Sequence, residues 1–225
     1  MSKFFISSVI SGCFIHLGFL LSMKVGSMFE QQRLLVIGIV FSLGIILVQL
    51  AKTNLFTSYT YNFTRTILDN DFTFNDTEKL VLCFFGNLVG VLIMPSNIFL
   101  PEVKAMIDFK DSLSLYELFI RGVLCNMIIC LLVYINSKIK EVSGKIIVSI
   151  MLISCFIILG FEHSIANMCF YLYGILNNYT CLFMAVRNIS VVALGNLLGG
   201  MVITAIFKGV EEKWFVLVVL IRWIL

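Results

Sequence analysis

Gly160-Phe161-Glu162-His163-Ser164 interrupts a hydrophobic stretch near its middle. Apolar residues run up to it from 146 and resume from 164 to 176. A second interruption, Lys52-Thr53-Asn54-Leu55-Phe56-Thr57-Ser58-Tyr59-Thr60, follows the apolar run 34–51. Non-helical backbone at membrane depth survives only when it is buried in protein or lines a cavity. Broken helices also bring half-helix N-termini, each carrying a partial positive charge, toward the membrane centre, where they attract an anion without a fixed charge. Ser164 is placed to cap the second half-helix, and Thr57 or Ser58 the first.

Composition fixes the solvent. Of the 225 residues, 60% are hydrophobic and 13% charged, and the mean hydropathy is +1.04. A soluble domain carries roughly 25% charged residues, so this chain is read as lying in lipid. A net charge of +3 with scattered basic residues gives no support for a nucleic-acid partner. The seven cysteines fit neither a zinc site nor a disulfide framework, and no metal or cofactor is expected. The apolar runs 4–23, 34–51, 80–100, 115–136, 146–160 (resuming at 164–176) and 190–207 predict six spans of about 20 residues. The first reads as an anchor rather than a signal peptide. The apolar stretch 214–225 is short and interrupted by Arg222, and reads as an interfacial helix. Residues 1–225 form one predicted transmembrane domain.

The chain reads as built twice. Gly86-Asn87-Leu88-Val89-Gly90 is echoed 109 residues later by Gly195-Asn196-Leu197-Leu198-Gly199, and Gly12 is 110 residues from Gly122. Repeat one is placed at about 3–100, repeat two at about 112–207, and a tail at 208–225. Three spans per half force the second half to enter the membrane upside down. The expected fold is an all-α membrane protein of six transmembrane helices, an inverted 3+3 repeat with broken second and fifth helices.

Plain roles account for several of these residues. The Gly-x-x-x-Gly pairs mark close helix packing, and His16 is expected to hydrogen-bond a neighbouring helix. Cys125 and Asn126 read as packing and interhelical bonding. His163 differs, because it sits beside Glu162 at a helix break, and intramembrane ionisable groups usually face a bundle interior or a wet cavity. Glu162 is expected to be structural, accepting from loop N–H groups. Glu162-His163 supplies neither a nucleophile–base pair nor a metal cluster for a membrane hydrolase, so the chain is not read as an enzyme.

The nine residues Gly160-Phe161-Glu162-His163-Ser164-Ile165-Ala166-Asn167-Met168 resemble the fifth-helix signature of the formate/nitrite transporter family. Leu55-Phe56-Thr57, Gly86-Asn87-Leu88, Arg121-Gly122-Val123-Leu124-Cys125-Asn126, and Leu194-Gly195-Asn196 with Gly199-Gly200 resemble further family motifs, over about residues 3–207. The resemblance implies an aquaporin-like protomer, assembled as a homopentamer in the lipid bilayer with one pore per protomer. It implies passage of small monovalent anions or their neutral acids: formate, nitrite, hydrosulfide, lactate or acetate. By the same resemblance His163 is the central pore histidine, with a proton-transfer or gating role, and Thr57 its partner. Lys110 draws anions into a vestibule. Ile45, Leu55 and Phe56 line one constriction, Ile129 and Phe156 the other, and Asn126 and Asn167 flank the histidine. The chain departs from the family where Lys52-Thr53-Asn54 stands in place of Gly-Ala-Glu/Asp, and Val191-Val192-Ala193 in place of Pro-Val-Thr. A neutral small-solute channel and a non-conducting homologue with a structural role are the alternative readings. With the N-terminus inside, eight basic residues face in and six out, a mild fit to the positive-inside rule. The expected location is a cell membrane, that of a bacterium.

Overall fold

The structure, a computed structural model, describes residues 2–94, 100 and 102–212. The interfacial helix expected at 214–225 lies outside them. Among the described residues there are nine helices: α1 Ser2–Gly26, α2 Arg33–Leu50, α3 Phe56–Leu68, α4 Phe74–Ile93, α5 Glu102–Ser112, α6 Leu115–Lys138, α7 Val142–Ile158, α8 Ser164–Leu176 and α9 Leu182–Glu211. Four of them, α1, α2, α6 and α9, are long and apolar enough to cross a membrane. Helices α7 and α8 are apolar but shorter. Large apolar side chains point outward on several elements, such as Ile147 and Met151 on α7 and Leu194 on α9.

Helix ends explain where the apolar runs and the helices differ. Helix α4 begins well before the run at 80, because Thr73 and Asp76 close a capping box that holds a polar first turn. Glu117, a charge at the start of the fourth run, closes the same device with Ser114 at the head of α6. Helix α5 has a polar composition and was not part of any run.

Helix α2 ends in a turn at 51–55 before α3, and α7 ends in a turn at 159–163 before α8. Both first helices close with the same pair of bonds. Lys52 N–H reaches Gln49 O and Thr53 N–H reaches Val48 O; Gly160 N–H reaches Ile157 O and Phe161 N–H reaches Phe156 O. This is the Schellman closure, which requires a left-handed residue just past the helix. Helices α3 and α8 finish likewise, with Asn70 and Asn178 in that position. Left-handed backbone therefore falls at Lys52, Asn70, Gly160 and Asn178. Gly and Asn suit it, whereas a lysine there costs about 1–2 kcal/mol.

Two asparagines tie these turns to the neighbouring helices. Asn87 Oδ1 accepts from Phe56 N–H at 2.8 Å, and its Nδ2 donates to Asn54 O at 2.9 Å and Ser8 O at 2.7 Å. Asn196 Oδ1 accepts from Ser164 N–H at 2.9 Å, and its Nδ2 donates to Glu162 O at 2.9 Å and Gly122 O at 2.8 Å. Each side chain fills an open N–H of a half-helix and a loop carbonyl while clamping a third helix. Such close approach needs glycine. A Cβ on Gly90 would stand 2.9 Å from Gly12 Cα, and one on Gly195 3.2 Å from Gly122 Cα. Thus α1 packs on α4, and α6 on α9, nearly backbone to backbone. His16 Nδ1 donates to Val91 O at 2.8 Å, adding an α1–α4 bond.

Two stability outcomes follow from this packing. A methyl on Gly199 meets the Val123 backbone, whereas one on Gly209 meets nothing within 4 Å. Gly199→Ala is expected to lower the thermal midpoint in detergent, and Gly209→Ala to leave or raise it, since Ala gains roughly 0.5–1 kcal/mol in a helix. Equal midpoints would contradict backbone-close packing. Asn196→Leu takes the side-chain partner from the Ser164 N–H and the Glu162 carbonyl, at roughly 1–3 kcal/mol for each buried group left unpaired. Its midpoint is expected to fall further than that of Ser137→Ala, which removes a bond on an exposed surface; a smaller fall would show that the latch is dispensable.

Candidate functional site

The first turns of α3 and α8 meet head to head. Thr57 Oγ1 lies 2.9 Å from His163 Nε2, and both residues are buried. His163 is itself the N-cap of α8: its Nδ1 accepts from Ala166 N–H at 3.1 Å. A ring nitrogen that accepts a backbone N–H carries no proton, so the neutral ring bears its hydrogen on Nε2. That hydrogen points to Thr57, and the threonine hydroxyl hydrogen stays free for another acceptor. The histidine cap replaces the expected cap by Ser164, whose Oγ has no partner among the described residues. Helix α3 has Leu55 at its N-cap, so neither Thr57 nor Ser58 occupies that position.

Around this pair the structure places two cavities. One, of about 460 Å³, is lined by Arg33, Glu102, Lys110, Arg121, Phe156, Glu162, His163 and Asn167 among others. The other, of about 560 Å³, is lined by Gln49, Lys52, Thr53, Leu55, Ser58, Asn136 and Lys145 among others. Helices α2, α6 and α7 each contribute to both cavities from opposite parts of their length: Arg33 against Gln49, Arg121 against Asn136, and Phe156 against Lys145. Sixteen residues of α2 separate Arg33 from Gln49, about 24 Å at helical rise. The cavities therefore open at opposite ends of the helices. Along α2 and α6, Ile45 and Ile129, both fully buried, fall between the residues lining the two cavities; Phe56 is 6% exposed. Phe156 forms part of the first cavity and stacks on His163, centroids 6.0 Å apart; Leu55 forms part of the second.

Lys110 is not a free surface charge. Only 9% exposed, its Nζ donates to both Glu162 carboxylate oxygens at 2.8 and 2.7 Å, and to Asn167 Oδ1 at 3.0 Å. It also sits 5.0 Å from the centre of the Phe170 ring. Asn167 Nδ2 in turn donates to Glu162 Oε2 and to Asn188 Oδ1. Glu162 thus holds side-chain partners, where loop N–H groups had been expected. Asn126 lies one layer away, donating to Thr60 Oγ1 at 2.8 Å and Asn196 O at 2.6 Å.

Residues given no individual role from sequence complete the site. Arg121 Nη1 donates to Gly160 O at 2.8 Å and Arg121 O accepts from Glu162 N–H, holding the α7–α8 turn. Asn87 and Asn196 set both half-helix starts; their signal was present in the repeated Gly-Asn-Leu-x-Gly, where only the glycines were assigned a role. Seven cysteines are free, and the described residues hold no cluster of three metal-ligating side chains.

The family model described as formate/nitrite transporter matches residues 1–209. The chain is 32% identical to the uncharacterized transporter YwcJ of Bacillus subtilis, over 89% of this chain and 85% of that protein. It is 29% identical to the formate channel FocA of Haemophilus influenzae, over 77% and 72%. Among solved structures, an FNT family ion channel matches with TM-score 0.83 at 26% identity, covering 94% of this chain and 89% of the other. A pentameric formate channel with formate bound shares the fold, with TM-score 0.77 at 23% identity over 97% of each. These relatives are transporters and channels rather than enzymes. A buried histidine–threonine contact between the first turns of two helices, set in an apolar helical bundle, thus coincides with a match along nearly the whole chain: this is a multi-pass membrane protein belonging to the formate/nitrite transporter family.

Proposed function

We propose that this chain conducts small monovalent anions of weak acids, formate and nitrite foremost, with hydrosulfide, lactate and acetate in the same class. The observation that carries the reading is the His163–Thr57 contact between two half-helix N-termini, on the line joining two opposed cavities. In this reading the chain is one domain of six spans: α1, α2 with α3, α4, then α6, α7 with α8, and α9. It is an inverted 3+3 repeat of aquaporin-like form, with repeats at about 3–100 and 112–207. Five copies assemble, as in the pentameric formate channel that shares its fold.

The passage runs from the Lys110 cavity, past Phe156 and the His163–Thr57 pair, through Ile45, Ile129, Phe56 and Leu55, to the Lys52 cavity. A bare anion crosses such a dry constriction poorly, because desolvating a charge costs several kcal/mol. A weak acid has another route: low dielectric disfavours its charged form, and it crosses protonated. The neutral His163 ring orients Thr57, whose free hydroxyl hydrogen offers a donor to the passing oxygen. An imidazolium would lose the Ala166 N–H bond, so protonating His163 loosens the head of α8 and makes the ring a pH-responsive gate.

The first test is uptake in liposomes at matched protein density, formate against glycerol; faster glycerol than formate entry would overturn the anion reading. Asn is a good N-cap. His163→Asn therefore keeps α8 capped but cannot titrate, whereas His163→Phe loses both cap and donor. The Asn variant is expected to retain part of the flux and to lose pH dependence beyond that of the substrate acid; the Phe variant is expected to be blocked. An Asn variant with the wild-type pH profile would remove the gating role.

Lys110 and Glu162 form a pair buried at the first cavity. Removing one partner of a buried pair costs roughly 3–5 kcal/mol. Lys110→Met is expected to reduce formate flux at low and high salt alike, and Lys110→Met with Glu162→Gln to recover part of it. A Lys110 loss confined to low salt would instead indicate a screened, exposed charge.

A further inference from the structure

We infer that Thr60 is the residue that positions Thr57 for His163, through a hydrogen-bonded ring that runs from the head of α3 across α6 and α9 to the head of α8. This rests on the reading of the His163–Thr57 contact above and adds the groups that set its length. The two helix heads are held differently. Helix α8 is capped by His163, whose Nδ1 accepts from Ala166 N–H. Helix α3 has Leu55 at its N-cap and no side-chain cap. Asn87 holds the Phe56 N–H. Thr57, the next residue, must meet a ring on another helix at 2.9 Å, so its own turn has to be fixed from outside.

Thr60 supplies that hold. Its Oγ1 lies 2.6 Å from Thr57 O, which only accepts, so the single hydroxyl hydrogen goes there. Thr60 Oγ1 then accepts from its other neighbours, Asn126 Nδ2 at 2.8 Å and Cys130 Sγ at 3.3 Å. The second Asn126 N–H goes to Asn196 O at 2.6 Å. The side chain of that same Asn196 accepts from the N–H of Ser164, the residue after His163. The ring is therefore Thr57, Thr60, Asn126, Asn196, Ser164 and His163, closed by the Thr57–His163 contact. Every member is buried.

Helix stability gives no reason for a threonine here. A β-branched residue is a modest helix former, and a hydroxyl bonded back to a carbonyl one turn earlier competes with the helix ladder. Packing is arranged to admit the group all the same. A Cβ on Gly200 would press on Thr60 Oγ1 and stand 2.7 Å from Asn126 Nδ2, so the bare α9 backbone leaves room for both. A valine would fill nearly the same volume as Thr60 but would strand one Asn126 N–H and release Thr57 O. The hydroxyl thus carries the role, and it acts by aiming Thr57 rather than by touching the substrate.

The contact can be read directly. The chain has two histidines, and His16, bonded to Val91 O, is a built-in reference. Magic-angle-spinning NMR of the full chain, carrying isotopically labelled histidine in phosphatidylcholine bilayers, follows the ring N–H hydrogen of each. Thr60→Val is expected to move the His163 resonance upfield, as its bond to Thr57 lengthens, and to leave that of His16 in place. Thr60→Ser, which keeps the hydroxyl, is expected to restore it. Gly200→Ala crowds Thr60 and Asn126 while removing no donor or acceptor, and is expected to move the same resonance. In liposomes at matched protein density, Thr60→Val is expected to lower the maximal formate rate about fivefold, the scale of one net hydrogen bond. The half-saturating concentration is expected to stay unchanged, because both cavities are intact. On a Thr57→Ala background the same substitution is expected to cost nothing further, since the two act as a unit. A His163 resonance unmoved in both Thr60→Val and Gly200→Ala overturns the ring, and so does a Thr60→Val loss of rate that adds in full to that of Thr57→Ala. A moved resonance in a protein whose wild type carries no formate upholds the ring and overturns the transport reading.

Discussion

Every backbone N–H and C=O that leaves a helix inside a bilayer must find a partner within the protein, because lipid offers none. At two of its inter-helix turns, 51–55 and 159–163, that demand is met by side chains of neighbouring helices. Asn87 and Asn196 each meet one N–H and one C=O of a turn and bind a carbonyl of a third helix. For a side chain as short as asparagine to reach that far, the helices must nearly touch, hence the glycines at the α1–α4 and α6–α9 crossings. The left-handed closures of α2 and α7 complete the turns from the other side.

Once the turns are held, the heads of α3 and α8 face one another, and their chemistry is constrained. His163 gives one ring nitrogen to capping α8 and the other to Thr57. A residue committed to two fixed bonds is held in one orientation. Lys110, drawn in against Glu162 and Asn167, is likewise committed. Its charge is balanced locally by Glu162.

Much was legible in the amino-acid order, because lipid imposes a simple code: long apolar runs for helices, polar groups only where protein or a cavity surrounds them. The break at Gly160-Phe161-Glu162-His163-Ser164, the repeated Gly-Asn-Leu-x-Gly, and close packing at its glycines all follow from that code. So does the difference between His163 and His16, since only one of them stands at a break. What a residue bonds to does not follow from it, because partners across the bundle are far apart in sequence. Lys110 and Glu162 are 52 residues apart and Thr57 and His163 106. That Lys110 is an ion-paired buried residue, that His163 rather than Ser164 caps α8, and that the asparagines beside the packing glycines clamp the turns were decided only when the helices packed and each buried polar group had to take whichever partner lay within about 3 Å.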